Sequence, residues 1–429
     1  MLRLLRTSAQ RQYRLACALA AVVACGRGAA AQEIERYFSL GAPGYGTTPG
    51  VTVLSRPRPA YEPAGIRVGD FIIYGNAAEA VGYDSNPTGE SQARPSLLEQ
   101  TQADLRVQSD WGRNSLNLTG GVNNRRYPAQ PQQSTTDWNV KLGGTYDIGR
   151  NQIGLDLSHV TAAETPRDLN NPLLTAPVPY SVNTARVGYT MQFGQFALIP
   201  GAEFDAWRYN DTEQNGVPVV LNYQSRNTVT GSLVGRYQAS DRRSLLVIVR
   251  GMHDHFVSPL PGLPNRDYNG VDFLVGAEYD TGGVWRYRVL AGYQTRLYAS
   301  SAFKTLSGPT AEANVIWQPT GLTAVTASAI HTIAESPLTI NTSYTLTQGR
   351  VTIDHELRRN VLLQARAEID TAVYPENAGH ATLWTAGASA TWLMNRRLRL
   401  IASYDYSTRL SGASSYVESV ALLRLGFAL

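Results

Sequence analysis

The chain has 429 residues, of which 43% are apolar and only 17% charged, with a formal charge of +4 and a mean hydropathy of −0.23. After residue 31, no apolar run approaches the roughly 18 residues of a membrane-spanning helix, so helical membrane proteins are excluded. The low charge also argues against a disordered chain or a coiled coil. The 38 Gly and 23 Tyr residues are instead typical of a large β protein with many turns.

Residues 1–31 have the features of a secretory signal peptide. Four arginines and no acid occur in the first 14 residues, Leu15–Ala24 is a short apolar core, and Ala29-Ala30-Ala31 suits cleavage before Gln32. Cys25 follows Val22-Val23-Ala24, which resembles a lipoprotein box, so lipidation of Cys25 is the alternative. Either interpretation predicts export from a bacterial cytoplasm.

Removal of this segment changes the charge and the cysteine content of the mature chain. Five of the 38 basic residues lie within it and none of the 34 acidic residues do, so the mature charge is near −1. Nucleic-acid binding thereby loses its only support, and no nucleic-acid partner is expected. Both cysteines, Cys17 and Cys25, are also removed, which excludes disulfides and thiol chemistry from the mature protein.

Residues 32–68 differ in composition from the remainder of the chain. Five Pro and five Gly occur among these 37 residues, with little alternation of apolar and polar side chains. This composition predicts an extended periplasmic leader, and a small plug is the alternative. The predicted divisions of the chain are therefore a signal peptide over 1–31, a Pro/Gly-rich leader over 32–68 and a folded domain over 69–429.

From residue 70 onward, apolar and polar side chains alternate with a period of two, as they do in β-strands. Residues 138–148 carry Trp, Val, Leu, Gly, Tyr and Ile on one face, and residues 285–297 and 361–373 repeat this scheme. A soluble β-sandwich alternates in the same way, so alternation alone does not decide the class of β protein.

Turn signals and loop lengths indicate a closed barrel. Eight short turns, centred near residues 113, 150, 194, 241, 282, 320, 359 and 396, lie 37–47 residues apart, with one longer polar segment between successive turns. Short turns alternate with long loops in outer-membrane barrels. The predicted fold is all-β, a transmembrane antiparallel up-and-down β-barrel of about 18 strands. A propeller is disfavoured, because it needs four strands per repeat and each repeat here holds two long ones.

The aromatic residues and the last strand agree with a barrel in a bilayer. All seven Trp lie near predicted strand ends, where a bilayer holds amphipathic rings at its interfaces. Ala421, Leu423, Leu425, Phe427 and Leu429 share one face of a strand that ends at the final residue. Outer-membrane proteins end in a similar alternating strand with a terminal aromatic residue, whereas the aromatic residue here stands two positions earlier.

Two short segments resemble the entry into the first strand of the putative β-barrel porin 2 family. They are residues 61–71, Tyr-Glu-Pro-Ala-Gly-Ile-Arg-Val-Gly-Asp-Phe, and residues 82–86, Gly-Tyr-Asp-Ser-Asn. Gly75 departs from the pattern, because many members have Pro there, and the remainder of the chain matches only in architecture. The resemblance implies a proteobacterial outer-membrane porin, and some members are linked to exopolysaccharide secretion. It also implies outer-membrane lipid, the barrel-insertion machinery and polysaccharide-export components as partners.

The polar faces of the strands should line a water-filled lumen, because about 18 strands enclose too wide a space for side chains to fill. Charges that faced lipid near the midplane would cost about 2–4 kcal/mol each, which supports the inward direction. Mixed signs predict cross-strand ion pairs, and a single-sign selectivity ladder is the alternative. The predicted pore-lining residues are Asp104, Arg106, Lys141, Arg186, Glu203, Asp205, Arg236, Arg286, Arg288, Arg366, Glu368 and Asp370.

Catalytic and metal-binding patterns are weak. His253-Asp254-His255 is a candidate metal pair or Asp–His dyad, but no third ligand lies within reach in the sequence. We therefore expect no catalytic residue, no metal and no cofactor. The predicted function is an outer-membrane conduit for exported polysaccharide, with the leader in the periplasm. A general or sugar-selective diffusion porin is the alternative, and an outer-membrane enzyme is a distant third.

Overall fold

The computed structural model describes residues 52–169, 174–214, 217–339, 342–375, 379–411 and 415–429. The predicted signal peptide, Cys25 and leader residues 32–51 lie outside the described residues, so those interpretations stay predictions. Among the residues that are described, no helix is both long enough and apolar enough to cross a membrane.

Eighteen strands of 12–16 residues dominate the described part of the chain. They are β2 (Phe71–Asp84), β3 (Ser96–Ser109), β4 (Ser115–Arg126), β5 (Thr135–Ile148), β6 (Asn151–Glu164), β7 (Val178–Phe193), β8 (Phe196–Tyr209), β11 (Arg226–Ser240), β12 (Arg243–Phe256), β13 (Tyr268–Asp280), β14 (Trp285–Tyr298), β15 (Leu306–Thr320), β16 (Thr323–Glu335), β17 (Ser343–Arg358), β18 (Val361–Val373), β19 (His380–Leu393), β20 (Leu398–Ser411) and β21 (Tyr416–Ala428). The shorter elements are β1 (Ile66–Val68), β9 (Thr212–Gln214), β10 (Val217–Val219) and two 3₁₀ turns, Pro131–Gln133 and Asn222–Gln224.

The long strands form one closed sheet. Each pairs antiparallel with its neighbour in sequence, and β8 pairs with β11 beside the small β9–β10 hairpin. The last strand, β21, pairs with β2 and closes the ring. Closure satisfies the backbone N–H and C=O groups within the sheet, which a chain in lipid requires. The predicted antiparallel up-and-down barrel is confirmed, with 18 long strands among the described residues.

The two ends of the barrel differ in the length of their connections. All eight predicted short turns join consecutive strands at one end, which we call the short-turn end. The opposite end, the loop end, carries longer connections, such as residues 165–177 between β6 and β7 and residues 257–267 between β12 and β13. This asymmetry is typical of outer-membrane barrels.

The two faces of the wall separate as the period of two predicts. On β13, Val271 and Phe273 are 53% and 49% exposed on the outer face, while Asp272 and Leu274, which alternate with them, are only 4% and 0% exposed. The same alternation occurs on the other long strands, so a band of exposed apolar side chains surrounds the barrel. Such a band matches the hydrocarbon core of a bilayer.

Five tryptophans lie on the outer face, as expected for an interfacial belt. They are Trp138, Trp285, Trp317, Trp384 and Trp392, each 37–49% exposed. Trp207 differs, because alternation on β8 turns it into the lumen together with Glu203 and Asp205. The prediction that every Trp marks the bilayer interface is therefore wrong for Trp207, where the parity of the strand overrides its position near a strand end.

Strand β1 completes the seam between the first and last long strands. Strand β21 pairs with β2 over Asn76–Asp84, whereas β1 pairs with β2 over Phe71–Ile73. The Leu429 N–H donates to Gly75 O at 2.8 Å between these two stretches. Strand β1 thus covers the edge of β2 that the C-terminal strand leaves open at the short-turn end.

Candidate conduction pathway

The structure places the side chains of all twelve predicted pore-lining residues on the inner face of the wall. Six of them surround one central cavity, namely Asp104, Arg106, Lys141, Arg186, Glu203 and Asp205. The other six lie on the inner wall outside that cavity, namely Arg236, Arg286, Arg288, Arg366, Glu368 and Asp370. A role for these residues in conduction stays a prediction.

Ion pairs hold much of the charged wall, some between neighbouring strands and others, such as Arg366–Asp405 and Arg250–Glu312, between strands that are not adjacent. Arg186 Nε lies 2.7 Å from Glu203 Oε2, and Arg366 Nη2 lies 2.6 Å from Asp405 Oδ1. Glu368 pairs with Arg350, and Arg250 pairs with Glu312 at 2.5 Å. These contacts favour the hypothesis of cross-strand ion pairs over a ladder of a single sign along these strands.

The cavity has a volume of about 680 Å³ and lies within the lumen. Arg397 and Arg399 border it toward the short-turn end, and Tyr209 and Glu335 border it toward the loop end. A volume of this order is typical of sites that enclose a small molecule. We call this space the chamber.

Part of the β6–β7 connection folds into the lumen at the loop end. Arg167 Nη1 lies 3.0 Å from Asp84 Oδ2 and also pairs with Glu418. Tyr127 donates a hydrogen bond from its hydroxyl to Asp84 Oδ2 at 3.0 Å. Burial disfavours the charged guanidinium, but the carboxylates of Glu418 and Asp84 outweigh burial and raise the pKa of Arg167 well above its usual value. Arg167 therefore stays charged and paired.

Further contacts anchor residues 165–169, which we call the inner loop. Arg409 Nη1 donates to the carbonyl oxygens of Pro166 and Asp168 at 2.9 and 3.2 Å, and the Tyr416 hydroxyl donates to Arg167 O at 2.8 Å. Leu169 is 2% exposed and packs among apolar residues of β16 to β19, across the barrel from β6 and β7. The inner loop therefore crosses the lumen instead of standing above it.

Other connections at the loop end bond to one another. Arg266 Nη2 donates to Ser336 O at 2.6 Å, which joins the β12–β13 connection to the β16–β17 connection. The Tyr223 hydroxyl, in the β8–β11 connection, donates to Pro337 O at 2.5 Å. These bonds add to the constriction of the loop end.

Residues 52–62 contact the wall at the short-turn end. Arg58 Nη2 lies 2.6 Å from Glu356 Oε2 on β17 and donates to Val53 O at 2.6 Å. Arg396 Nε donates to Pro59 O at 2.8 Å. Arg58 and Glu356 are both 3% exposed. This part of the predicted leader thus packs within the mouth, and the choice between an extended leader and a small plug stays a prediction.

A patch of the inner wall is apolar, which alternation alone does not predict. Ile199, Val234, Leu246, Leu274 and Leu290 pack together with Ile248 on the inner faces of β8 and β11 to β14, and each is at most 3% exposed. Where this patch lies, these strands carry apolar residues on the luminal face as well as on the outer face, as is typical of strands that are packed on both faces. The lumen is therefore not lined by polar groups throughout.

The geometry separates the candidate His–Asp–His residues. His253 and His255 point outward, and their Nδ1 atoms lie 2.9 Å from Asn269 Oδ1 and 2.8 Å from Asp267 Oδ2, respectively. Asp254 faces the lumen and lies beside Arg226. The described residues contain no group of three His, Cys, Asp or Glu that could hold a metal ion.

Several residues at the loop end of the lumen were not among the predicted pore-lining residues. Arg226 and Asp254 stand at inward positions near strand ends, so extending the alternation to the end of each strand would have found them. Arg167 and Arg266 lie in connections without periodicity, where the sequence carries no signal of an inward direction.

The family described as Putative beta-barrel porin 2 matches residues 58–427. No curated protein sequence matches the chain.

Several solved structures are similar in fold. The outer membrane protein OpdK from Pseudomonas aeruginosa is 11% identical with a TM-score of 0.46, and the match covers 83% of this chain and 98% of that one. A BenF-like porin from Pseudomonas fluorescens Pf-5 is 11% identical with a TM-score of 0.45, over 84% of this chain and 100% of that one. OccK2 (OpdF) from Pseudomonas aeruginosa, in complex with glucuronate, is 11% identical with a TM-score of 0.46, and the match covers 84% of this chain and 99% of that one.

At this identity and these scores, the solved structures say nothing about the solute of this chain. The family match is different, because it extends over most of the sequence and includes the segments at 61–71 and 82–86. The closed antiparallel barrel and its apolar outer band are those of an outer-membrane protein. The chain belongs to the putative β-barrel porin 2 family and is a porin-like β-barrel of the outer membrane.

Proposed function

We propose that this barrel is a selective diffusion porin, through which small polar solutes cross the outer membrane. The observation that carries the proposal is the inner loop, which lies across the lumen and leaves a chamber of about 680 Å³. Sites that enclose a small molecule have volumes of about 300–1,000 Å³. The chamber therefore suits a solute of about the size of a mono- or disaccharide.

The wall of the chamber supports transit of polar solutes. Conduction requires contacts strong enough to admit a solute and weak enough to release it. Paired charges such as Arg186–Glu203 and Lys141–Asp156 offer hydrogen bonds without a deep electrostatic trap. Preformed ion pairs also keep these long side chains from collapsing into the lumen.

Export of exopolysaccharide is the second candidate, and the polar wall also favours it. A growing glycan would need a continuous opening along the whole lumen, whereas the inner loop and residues 52–62 occupy part of it. An export channel would therefore require both segments to move aside. For this reason we prefer the diffusion porin.

Liposome swelling with the purified, refolded protein tests the proposal. We expect galactose and lactose to enter the liposomes, and longer oligosaccharides to be excluded by the constricted lumen. A deletion strain should keep normal amounts of surface polysaccharide. Failure of galactose to enter, together with loss of surface polysaccharide in the deletion strain, would establish the export channel instead.

A further inference from the structure

We propose that the short-turn half of the lumen holds a binding subsite for small organic anions that carry a carboxylate or phosphate group. This inference rests on the proposed function, because it names the charge of the solutes that the diffusion porin selects. It depends on the distribution of charge along the inner wall.

Most charged side chains of the wall meet a partner of opposite sign. Three ion pairs on the inner wall are examples. Arg186 of β7 pairs with Glu203 of β8, Arg250 of β12 with Glu312 of β15, and Arg350 of β17 with Glu368 of β18. Each of these pairs contributes no net charge to the lumen. A solute that passes them meets hydrogen-bonding groups but little net field.

The sector formed by β20, β21, β2 and β3 differs at the short-turn end. Apart from the mutually paired Arg67 and Asp110, five arginines and two acids meet on its luminal side, so these seven side chains carry a formal surplus of three positive charges. The members of this basic sector are Arg106, Arg396, Arg397, Arg399, Arg424, Asp104 and Glu62. All except Arg424 border the chamber.

Two guanidinium groups of the basic sector bond to neutral amides. Arg399 Nη2 donates to Asn76 Oδ1 at 2.6 Å, and Arg424 Nη2 donates to Gln100 Oε1 at 2.8 Å. An amide oxygen fixes the direction of a guanidinium without cancelling its charge. The wall therefore fixes the direction of the Arg399 guanidinium, and Asp104 is the carboxylate that acts on its charge.

Arginine suits oxyanions in particular. Its planar fork matches the geometry of a carboxylate or phosphate group, and a charge-assisted hydrogen bond of this kind is about twice as strong as a neutral one. A lumen with low-dielectric walls also focuses the field of several like charges and raises the local concentration of counter-ions. The basic sector should therefore attract anions from solution and hold them briefly at the chamber.

Ion selectivity in planar bilayers tests the inference directly. The parent protein should prefer chloride over potassium, as read from the reversal potential in a KCl gradient. The double variant Arg397→Gln/Arg399→Gln should have a chloride-to-potassium permeability ratio that is lower by about fivefold for each charge removed. One unit charge at about 4 Å contributes about 1 kcal/mol even in water. Asp104→Asn should change the ratio in the opposite direction.

A matched control separates the basic sector from general surface charge. Arg94→Gln with Arg126→Gln also removes two positive charges, but both side chains are exposed at the loop end, outside the chamber. This control should leave the permeability ratio near that of the parent. Heat-modifiable migration in SDS gels confirms that each variant is folded, and the opposite sign expected for Asp104→Asn keeps the test valid if one arginine variant fails to fold.

Solute uptake gives the second measurement. Galacturonate and galactose 6-phosphate each differ from galactose by an anionic group, so at least one of them should enter liposomes faster than galactose and block chloride current at millimolar concentration. Uptake of galactose without any preference for these anions would overturn the subsite but leave the diffusion porin intact. Exclusion of galactose itself would refute the proposed function. The subsite would also be overturned if the parent channel preferred potassium over chloride, or if the control variant changed the permeability ratio as much as the arginine variants do.

Discussion

Arg167→Gln should weaken the docking of the inner loop and increase the conductance of the channel. Arg167 is 14% exposed, and its partners Asp84 and Glu418 are 0% and 7% exposed. Removal of one member of a buried ion pair typically costs about 3–5 kcal/mol, because the remaining charge stays buried without compensation. Two carboxylates would lose the same cation here, so a cost in this range is expected for the docked state.

The other anchors of the inner loop remain in this variant and oppose its release. Arg409 and Tyr416 donate three hydrogen bonds to the inner loop, each of which contributes about 0.5–3 kcal/mol. Burial of Leu169 adds about 1.5–3 kcal/mol. Against these contributions, a loss of about 3–5 kcal/mol would shift the equilibrium toward the undocked loop by about two to four orders of magnitude.

Single-channel recording and cysteine labelling measure the release. Leu169→Cys should react slowly with a water-soluble maleimide in the parent background and rapidly when combined with Arg167→Gln. Both native cysteines precede the predicted cleavage site, so in the mature protein the maleimide labels the introduced cysteine. Arg126→Gln, exposed and outside the inner loop, is the control. Unchanged conductance and slow labelling in a folded Arg167→Gln protein would refute the argument.

Two further predictions concern the wall. Lys141→Cys should react with a water-soluble maleimide, whereas Val140→Cys should resist it. Alternation places Lys141 in the chamber and Val140 in the outer apolar band. Equal labelling rates would contradict this assignment of the two faces of β5. Gly276→Ala should lower the free energy of unfolding of the barrel by about 1–3 kcal/mol, because the added Cβ atom would lie 1.9 Å from Val289 O. The control Gly251→Ala meets nothing within 4 Å and should unfold like the parent in a circular dichroism melt.

Alternation and turn spacing were sufficient to predict the barrel, because lipid outside and water inside give each strand two chemically different faces. The eight short turns and the even number of long strands follow from the same pattern, and the structure confirms them. The inward direction of residues such as Arg186 and Asp370 follows from parity in the same way.

The constrictions of the lumen could not be predicted by these means. Arg167 and Leu169 lie in an ordinary polar connection, and their inward position depends on partners that are far apart in sequence, such as Glu418. Residues 52–62 likewise contact Glu356, about 300 residues later, which no local pattern reveals. Periodicity assigns a face to a residue, but it does not say what crosses the space that the faces enclose.

The pairing of β1 with β2 limits how far Arg58 can travel from Glu356. Only residues 59–65 separate Arg58 from Ile66, which pairs with Ile73 at the start of β2. At about 3.5 Å per residue this tether reaches about 25 Å, so Arg58 stays near the mouth even when its bonds break. Arg58 is therefore an intramolecular ligand of Glu356, with an effective concentration in the millimolar range. A competing cation would have to exceed that concentration to keep the segment displaced, and the segment would return when the competitor is diluted.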